Sequence, residues 1–173
     1  MPRLTRGILL PRLAAHLLAE GLAGAALRPM AKAAGTSDRM LIYHFGTKER
    51  LLHDTLAHVA AEMTARLDAG LPPGPQPDLA ALARALRRLA GDPALSAHFA
   101  LWLDLLASGD AGTAAALLDG FAAWVAARLP RDEADPDAAV AALLTLTEGI
   151  VVLDRAGRGA WADAALDRLL PQG

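Results

Sequence analysis

The chain contains no cysteine. That excludes a disulfide framework, a thiol nucleophile and any thiolate metal site. Aromatic residues make up only 4% of the sequence, and runs of β-branched residues are nearly absent apart from Ile150-Val151-Val152. With Ala and Leu dominating instead, helix is favoured and strand disfavoured throughout, so an all-α protein is expected. Long apolar runs are also missing. The longest uncharged stretch, Pro93 to Leu103, has eleven residues, short of the roughly 20 that a membrane-spanning helix needs. Basic residues followed by apolar ones at the N-terminus imitate a secretory signal, but Pro11, Arg12, His16 and Glu20 interrupt the run. A soluble, cytoplasmic protein without membrane association is expected.

Catalytic constellations are lacking too. There is no phosphate-binding glycine loop of the P-loop or dinucleotide type. Ser37, Ser96 and Ser108 fall near expected helix ends, where capping accounts for them without catalysis. Asp54, His58 and Glu62 share a helix face at i, i+4 spacing, with His53 nearby. Ligand type without geometry is weak evidence for a metal, and a solvated or groove-lining polar face is the reading adopted. No enzyme, no metal and no cofactor are expected.

What is present is concentrated between residues 27 and 52. Leu27 to Ala34 has the size and pattern of a short helix, with Pro29 in its first turn, where a missing N–H costs nothing. Gly35 ends it, being free to take positive φ. Ser37 is placed to cap a second helix. Two short helices joined by a tight glycine-containing turn form the motif that sets one helix into the major groove of DNA. The run Met30-Ala31, Ala34-Gly35-Thr36-Ser37, Tyr43-His44-Phe45, Thr47-Lys48-Glu49 and Leu51-Leu52 resembles the N-terminal domain of TetR-family transcriptional regulators. That family's pattern is an Ile-Ala pair, an Ala-Gly-Val-Ser turn, an aromatic-His-Phe ending, Ser-Lys-Glu and a Leu. The match is tight over about twenty residues and loose elsewhere. Ile42 stands where the family most often has an aromatic, Ala25 where it has a capping Thr or Ser, and Pro11 falls inside the first helix. A kink or a delayed start of that helix is expected.

Charge supports the same reading independently. Residues 1–50 hold eight Lys or Arg (Arg3, Arg6, Arg12, Arg28, Lys32, Arg39, Lys48, Arg50) against Glu20, Asp38 and Glu49. The balance is +5, and since the whole chain carries −2, residues 51–173 carry −7. A basic head on an acidic body suits phosphate attraction.

Punctuation marks the remaining helices. Thr47 is placed to cap a helix from Lys48 to about Leu67. The proline-rich run from Ala69 to Pro77 is a loop. Asp78 opens a helix with Leu79, Leu82, Leu86 and Leu89 on one face. Asp92-Pro93 opens one to about Ala107, and Gly109 to Gly112 break it. Further helices are expected from Thr113 to about Leu129, from Asp135-Pro136 to about Arg155, and from Ala160 to Leu170. The total of about nine matches what the family resemblance implies. The expected organisation is a three-helix helix-turn-helix domain over residues 1–47 and a helical effector-binding and dimerisation domain over 48–173.

The resemblance implies double-stranded DNA, at a pseudo-palindromic operator, as one partner. Candidate DNA-binding residues are Arg28, Thr36, Ser37, Arg39, Met40, Tyr43, His44 and Lys48. Tyr43 and Lys48 would hold phosphates, while Thr36, Ser37, Arg39 and Met40 would face the groove, Arg39 matching a guanine edge. His44 is assigned to packing or to a phosphate. Arg3 and Arg6 are read as a backbone-contacting arm or a frayed terminus. The second implied partner is a small, mostly apolar effector. Candidate contacts are the aromatic set His98, Phe99, Trp102, Phe121 and Trp124, with Met63, Asp104, Thr147 and Glu148; these residues either line a cavity or pack the core. A homodimer is expected through Val140, Leu143, Leu144, Thr147 and Val151, matched by Trp161, Ala165 and Leu169. The function expected is a ligand-released repressor. The rival is a helical ligand-binding or enzymatic protein with an incidental helix-turn-helix.

Overall fold

The computed structural model describes residues 4–170. Among them the chain is all-helical, with nine α-helices and no strand. They are α1 (Arg6–Glu20), α2 (Leu27–Ala34), α3 (Asp38–Phe45), α4 (Lys48–Gly70), α5 (Leu79–Ala90), α6 (Ser96–Ser108), α7 (Ala111–Ala126), α8 (Pro136–Arg155) and α9 (Gly159–Leu169), with short 3-10 turns at Leu22–Gly24 and Pro93–Leu95. The chain divides into two compact units. The first comprises Met1–Met63 and Ala97–Leu117, the second Thr64–Ser96 and Leu118–Gly173. The helix-turn-helix segment lies in the first, which extends beyond residue 47 to take in the first part of α4 and most of α6.

Helix starts follow side-chain chemistry. Ser37 accepts from the Met40 N–H, Thr47 from Arg50, Asp78 from Ala81, Asp92 from Ala94 and Asp135 from Ala138. Each oxygen satisfies an amide that the helix itself leaves without a partner. Two starts differ from expectation. The Asp92-Pro93 pair opens a 3-10 turn before α6 begins. Helix α7 begins at Ala111 rather than Thr113, because Asp110 accepts from the Thr113 N–H and draws Gly112 into the helix.

Pro11 does not delay α1. The helix starts at Arg6 and runs through it. Pro11 and Gly7 are both exposed, so the Gly7 carbonyl that loses its usual donor lies on the solvent side, where water replaces it. Helix α2 starts at Leu27, with Ala26 before it and no side-chain cap.

In the first unit, α1 packs on α2 and α2 on α3. Leu9, Leu13, Met30, Ala31, Ala34, Leu41, Phe45 and Leu51 form one core there. A second core gathers Ala14 and Leu17 of α1, Leu56 and Val59 of α4, Leu101 and Leu105 of α6 and Ala114 of α7. Burying each such Leu is worth about 1.5–3 kcal/mol.

In the second unit, α5 and α9 pack against α8. Arg87 of α5 donates to Asp154 at 2.9 Å and to Asp163 at 2.7 Å, tying the α8–α9 corner down. Those contacts raise the Arg87 pKa, the hydrogen bond to Asp163 most of all. By length and composition, α8 is long and apolar enough to cross a membrane. A count of uncharged residues misses it because Glu148 interrupts the run. Here it packs through Leu143, Thr147, Ile150 and Val151, which are buried, and it supplies Asp154 to Arg87.

Candidate nucleic-acid interface

The turn between α2 and α3 is built from backbone hydrogen bonds of Gly35 and Thr36. Gly35, at φ 70° and ψ 37°, donates to the Lys32 carbonyl, and Thr36 donates to Ala31 at 2.9 Å. This left-handed conformation strongly favours glycine. It hands the chain to Ser37, whose hydroxyl accepts from Met40 at 3.3 Å and fixes where α3 begins. Leu41 and Phe45 are buried beneath α3, so the opposite face is set outward by helical periodicity.

That outward face holds most of the expected residues. Ser37, Asp38, Arg39, Met40 and Tyr43 are exposed; the Tyr43 side is 74% accessible and Met40 37%. Arg28 on α2 and Lys48 at the start of α4 are exposed as well, and Thr36 is half-buried. The Ser37 hydroxyl already accepts one bond, which leaves its proton free to donate outward. Tyr43 meets His44 edge to face with ring centroids 5.3 Å apart. His44 is half-buried; its Nε2 is sealed from solvent and has no hydrogen-bond partner among the described residues. Its carbonyl, by contrast, is engaged.

That carbonyl accepts from Arg6 Nε at 2.7 Å, and Arg6 also reaches Asp54 at 3.4 Å and covers the Phe45 ring at 4.8 Å. Arg6 is therefore neither frayed nor a free arm, and Arg3 lies outside the described residues. Arg12 donates to the Ala34 carbonyl at 2.9 Å. Sequence reasoning counted both arginines as charge and missed these contacts; the spacing between donor and acceptor, 38 and 22 residues, gives no local signal. Lys32 and Arg50 are further exposed cations beside the motif. At the start of α4, the Glu49 carboxyl is held below its ordinary value, chiefly by its own backbone N–H and then by the Thr47 hydroxyl.

The expected effector residues divide between the two units. In the first, His98 and Phe99 are buried and Met63 is half-buried, while Trp102 packs against the core of α1, α4 and α6. Asp104 accepts from the Leu22 N–H at 3.3 Å and so holds the turn after α1. In the second, Phe121 stacks on Trp124 at 5.7 Å. The Trp124 indole donates to Asp68 at 2.8 Å, and the Arg128 guanidinium lies 3.7 Å from its ring. Thr147 is buried with its hydroxyl donated to the Leu143 carbonyl in its own helix. Glu148 is half-buried. Of the polar helix face on α4, Asp54 faces Arg6 and Arg50, and His58 lies 3.5 Å from Glu62.

Comparison with solved structures places one protein beside this arrangement. The multidrug binding protein EbrR, solved in complex with imidazole, superposes with a TM-score of 0.66 over 97% of this chain and 90% of its own, at 26% identity. No family model and no curated protein matches the sequence.

Proposed function

We propose that this TetR-like chain is a sequence-specific DNA-binding regulator that acts as a dimer in the cytoplasm and is released from its operator by a small, mostly apolar molecule. The observation that carries the reading is the capped, outward-facing α3. Exposed Arg39, Met40 and Tyr43 stand on a helix whose other face is locked in a core, with Lys48 at the following helix start. Arg39 presents a fork to guanine O6 and N7, and Tyr43 and Lys48 hold phosphates on either side. Thr36 and Ser37 at the turn add hydroxyl donors, and Arg28 a further cation.

We assign dimerisation to the α8–α9 pair, keeping Trp161 and Leu169 of the sequence stripe on α9 but a different face of α8. Leu143, Thr147 and Val151 are buried within the chain itself. The outward face of α8 carries Ala138, Ala141, Ala142, Thr145, Gly149 and Val152, and that of α9 carries Trp161 and Leu169. Small residues permit close approach of a second helix pair, and the two large apolar residues supply anchors. The effector reading is supported by the aromatics of α6 and α7 and by the likeness to a multidrug binding protein. In this reading the bound molecule favours a separation of the two heads unsuited to half-sites about 34–36 Å apart.

The test is selection from a pool of random duplexes at two salt concentrations. A palindromic motif should emerge, with affinity falling steeply as salt rises. Arg39→Ala should cost about 1–3 kcal/mol and relax preference at a guanine position, whereas Lys48→Ala should weaken all duplexes alike and lower the salt slope by about one. If no motif is enriched and no duplex is bound at low salt, the reading fails in favour of a helical ligand-binding or enzymatic protein.

A further inference from the structure

Two arginines of α1 reach the ends of both helices of the reading motif. Arg12 donates to Ala34, the last residue of α2, at 2.9 Å, and lies so close to Gly35 that a Cβ there would meet its Nη1 at 3.2 Å. Arg6 donates to His44, one residue before the end of α3, at 2.7 Å. These are carbonyls that a helix cannot satisfy from within, at the end where positive charge is favoured. Arg6 does more than cap. Its fork spans from the α3 carbonyl through Nε to Asp54 on α4 through Nη1, with the plane over Phe45. Asp54 is well covered, its side chain 18% exposed.

Resting on the DNA-binding reading above, we infer that Arg6 and Asp54 form a positioning pair that sets the angle of α3 relative to α1 and α4, and that Arg6 serves recognition through this pair rather than by touching phosphate. Arg12 does the same for the end of α2. Among the described residues, the basic head then reads DNA with a smaller set of cations than its charge implies: Arg28, Lys32, Arg39 and Lys48, with Arg50 sharing Asp54 at 3.8 Å.

The distinction is measurable because the two roles predict opposite signs. Arg6→Lys keeps the charge but loses the two-ended fork, since a single ammonium replaces donors fixed in a plane. Asp54→Asn removes a negative charge near the duplex, so phosphate electrostatics alone predicts tighter binding. The positioning role predicts weaker binding from both. Expected values are roughly tenfold weaker affinity for the selected duplex, in line with loss of a charge-assisted hydrogen bond, little change for a scrambled duplex, and an unchanged salt slope. Melting of each variant is followed in parallel. The inference is overturned if Arg6→Lys binds as the parent does while Arg6→Ala lowers the slope by about one, because Arg6 is then a phosphate contact. It is equally overturned if both variants lower the melting temperature but leave the ratio of selected to scrambled affinity intact, since that marks a role in stability alone. If the parent chain itself binds no duplex, the DNA-binding reading falls first and the inference falls with it.

Discussion

The reading motif and the α8–α9 pair both expose large side chains, but of opposite kinds. Around α3 the exposed bulk is Tyr43 and Met40, set among Ser37, Asp38, Arg39 and Lys48. On α8 and α9 it is Val152, Trp161 and Leu169, with small residues such as Ala138, Ala141, Ala142 and Gly149 on α8 and charged Asp163, Asp167 and Arg168 beside them on α9. A polar, cationic surface with one amphipathic ring fits a wet and charged partner such as a duplex, whose interfaces hold bridging water. Two or three large apolar anchors, with small residues between them and charges at the edge, fit a second protein surface. The helix-holding arginines differ in depth. In the head unit, Arg6 and Arg12 reach helix-end carbonyls, and Arg6 also faces a carboxylate. In the second unit, Arg87 and Arg128 are drawn inward onto carboxylates, and Arg128 is only 2% exposed. Both regions use arginines to hold helices; the head keeps its helix-holding arginines at the surface, whereas the second unit draws Arg128 fully inside.

The most severe way to break this contrast is to remove Arg128. It donates to the carbonyls of Leu71 and Trp124 and to Asp68, and covers the Trp124 ring, joining the end of α4 to the end of α7. Its own carbonyl accepts from Gln76 in the proline-rich loop. Arg128→Ala leaves two buried carbonyls without donors and a cavity beside Trp124. The expected cost is about 3 kcal/mol, at the low end for a broken buried pair because Asp68 still reaches water. Urea unfolding measures it. A loss smaller than that of an ordinary surface arginine would mean the second unit does not depend on its inward cations.

Next in size is the anchored surface of α8 and α9. Trp161→Asp should raise the dimer dissociation constant about thirtyfold, corresponding to roughly 2 kcal/mol at an anchor, as read by sedimentation. Arg158, whose guanidinium lies 5.3 Å from the Trp161 ring, would lose its aromatic partner. Unchanged association would move the interface off α9. Operator affinity should fall in step, since half-sites are held together only by the dimer.

How much of this was legible beforehand follows from where each signal sits. Helix starts were readable because the cap and the amide it serves are two or three residues apart, as at Ser37, Thr47 and Asp78. The bounds of α2 were readable from Pro29 and Gly35 for the same reason. The start of α7 was not, because Gly112 reads as a breaker while Asp110 overrides it as a cap. The face of α8 was obscured because Leu and Val occur all around it; burial sorts Leu143 inward and Val152 outward, and that depends on where α5 and α9 come to rest. The exposed reading face followed from the motif. The Arg6–His44 and Arg128–Leu71 contacts did not, since a cation in a sequence does not name the carbonyl it will reach.

The smallest effect tests a carboxylate held by hydrogen bonds at a helix start rather than by an arginine. In the second unit Asp68, Asp154 and Asp163 face arginines. In the first, Asp54 faces arginines as well, whereas Glu49 and Asp110 sit at helix starts, as Asp78 and Asp135 do in the second, and N–H groups and hydroxyls do the holding. The Asp110 carboxyl is held below its ordinary value, first by the Thr113 hydroxyl and then by the Thr113 backbone N–H, with a minor contribution from His53. A carboxyl lowered in the folded state stabilises it fully above the unfolded value, near pH 4. That contribution disappears as pH falls through the lower folded value, where both states bind the proton alike. Asp110→Asn keeps an oxygen able to cap α7 but cannot ionise. The parent should therefore melt slightly above the variant at neutral pH, and the gap should close on acidification through that window. A gap that stays constant with pH would show that the charge of Asp110 contributes nothing to holding the start of α7.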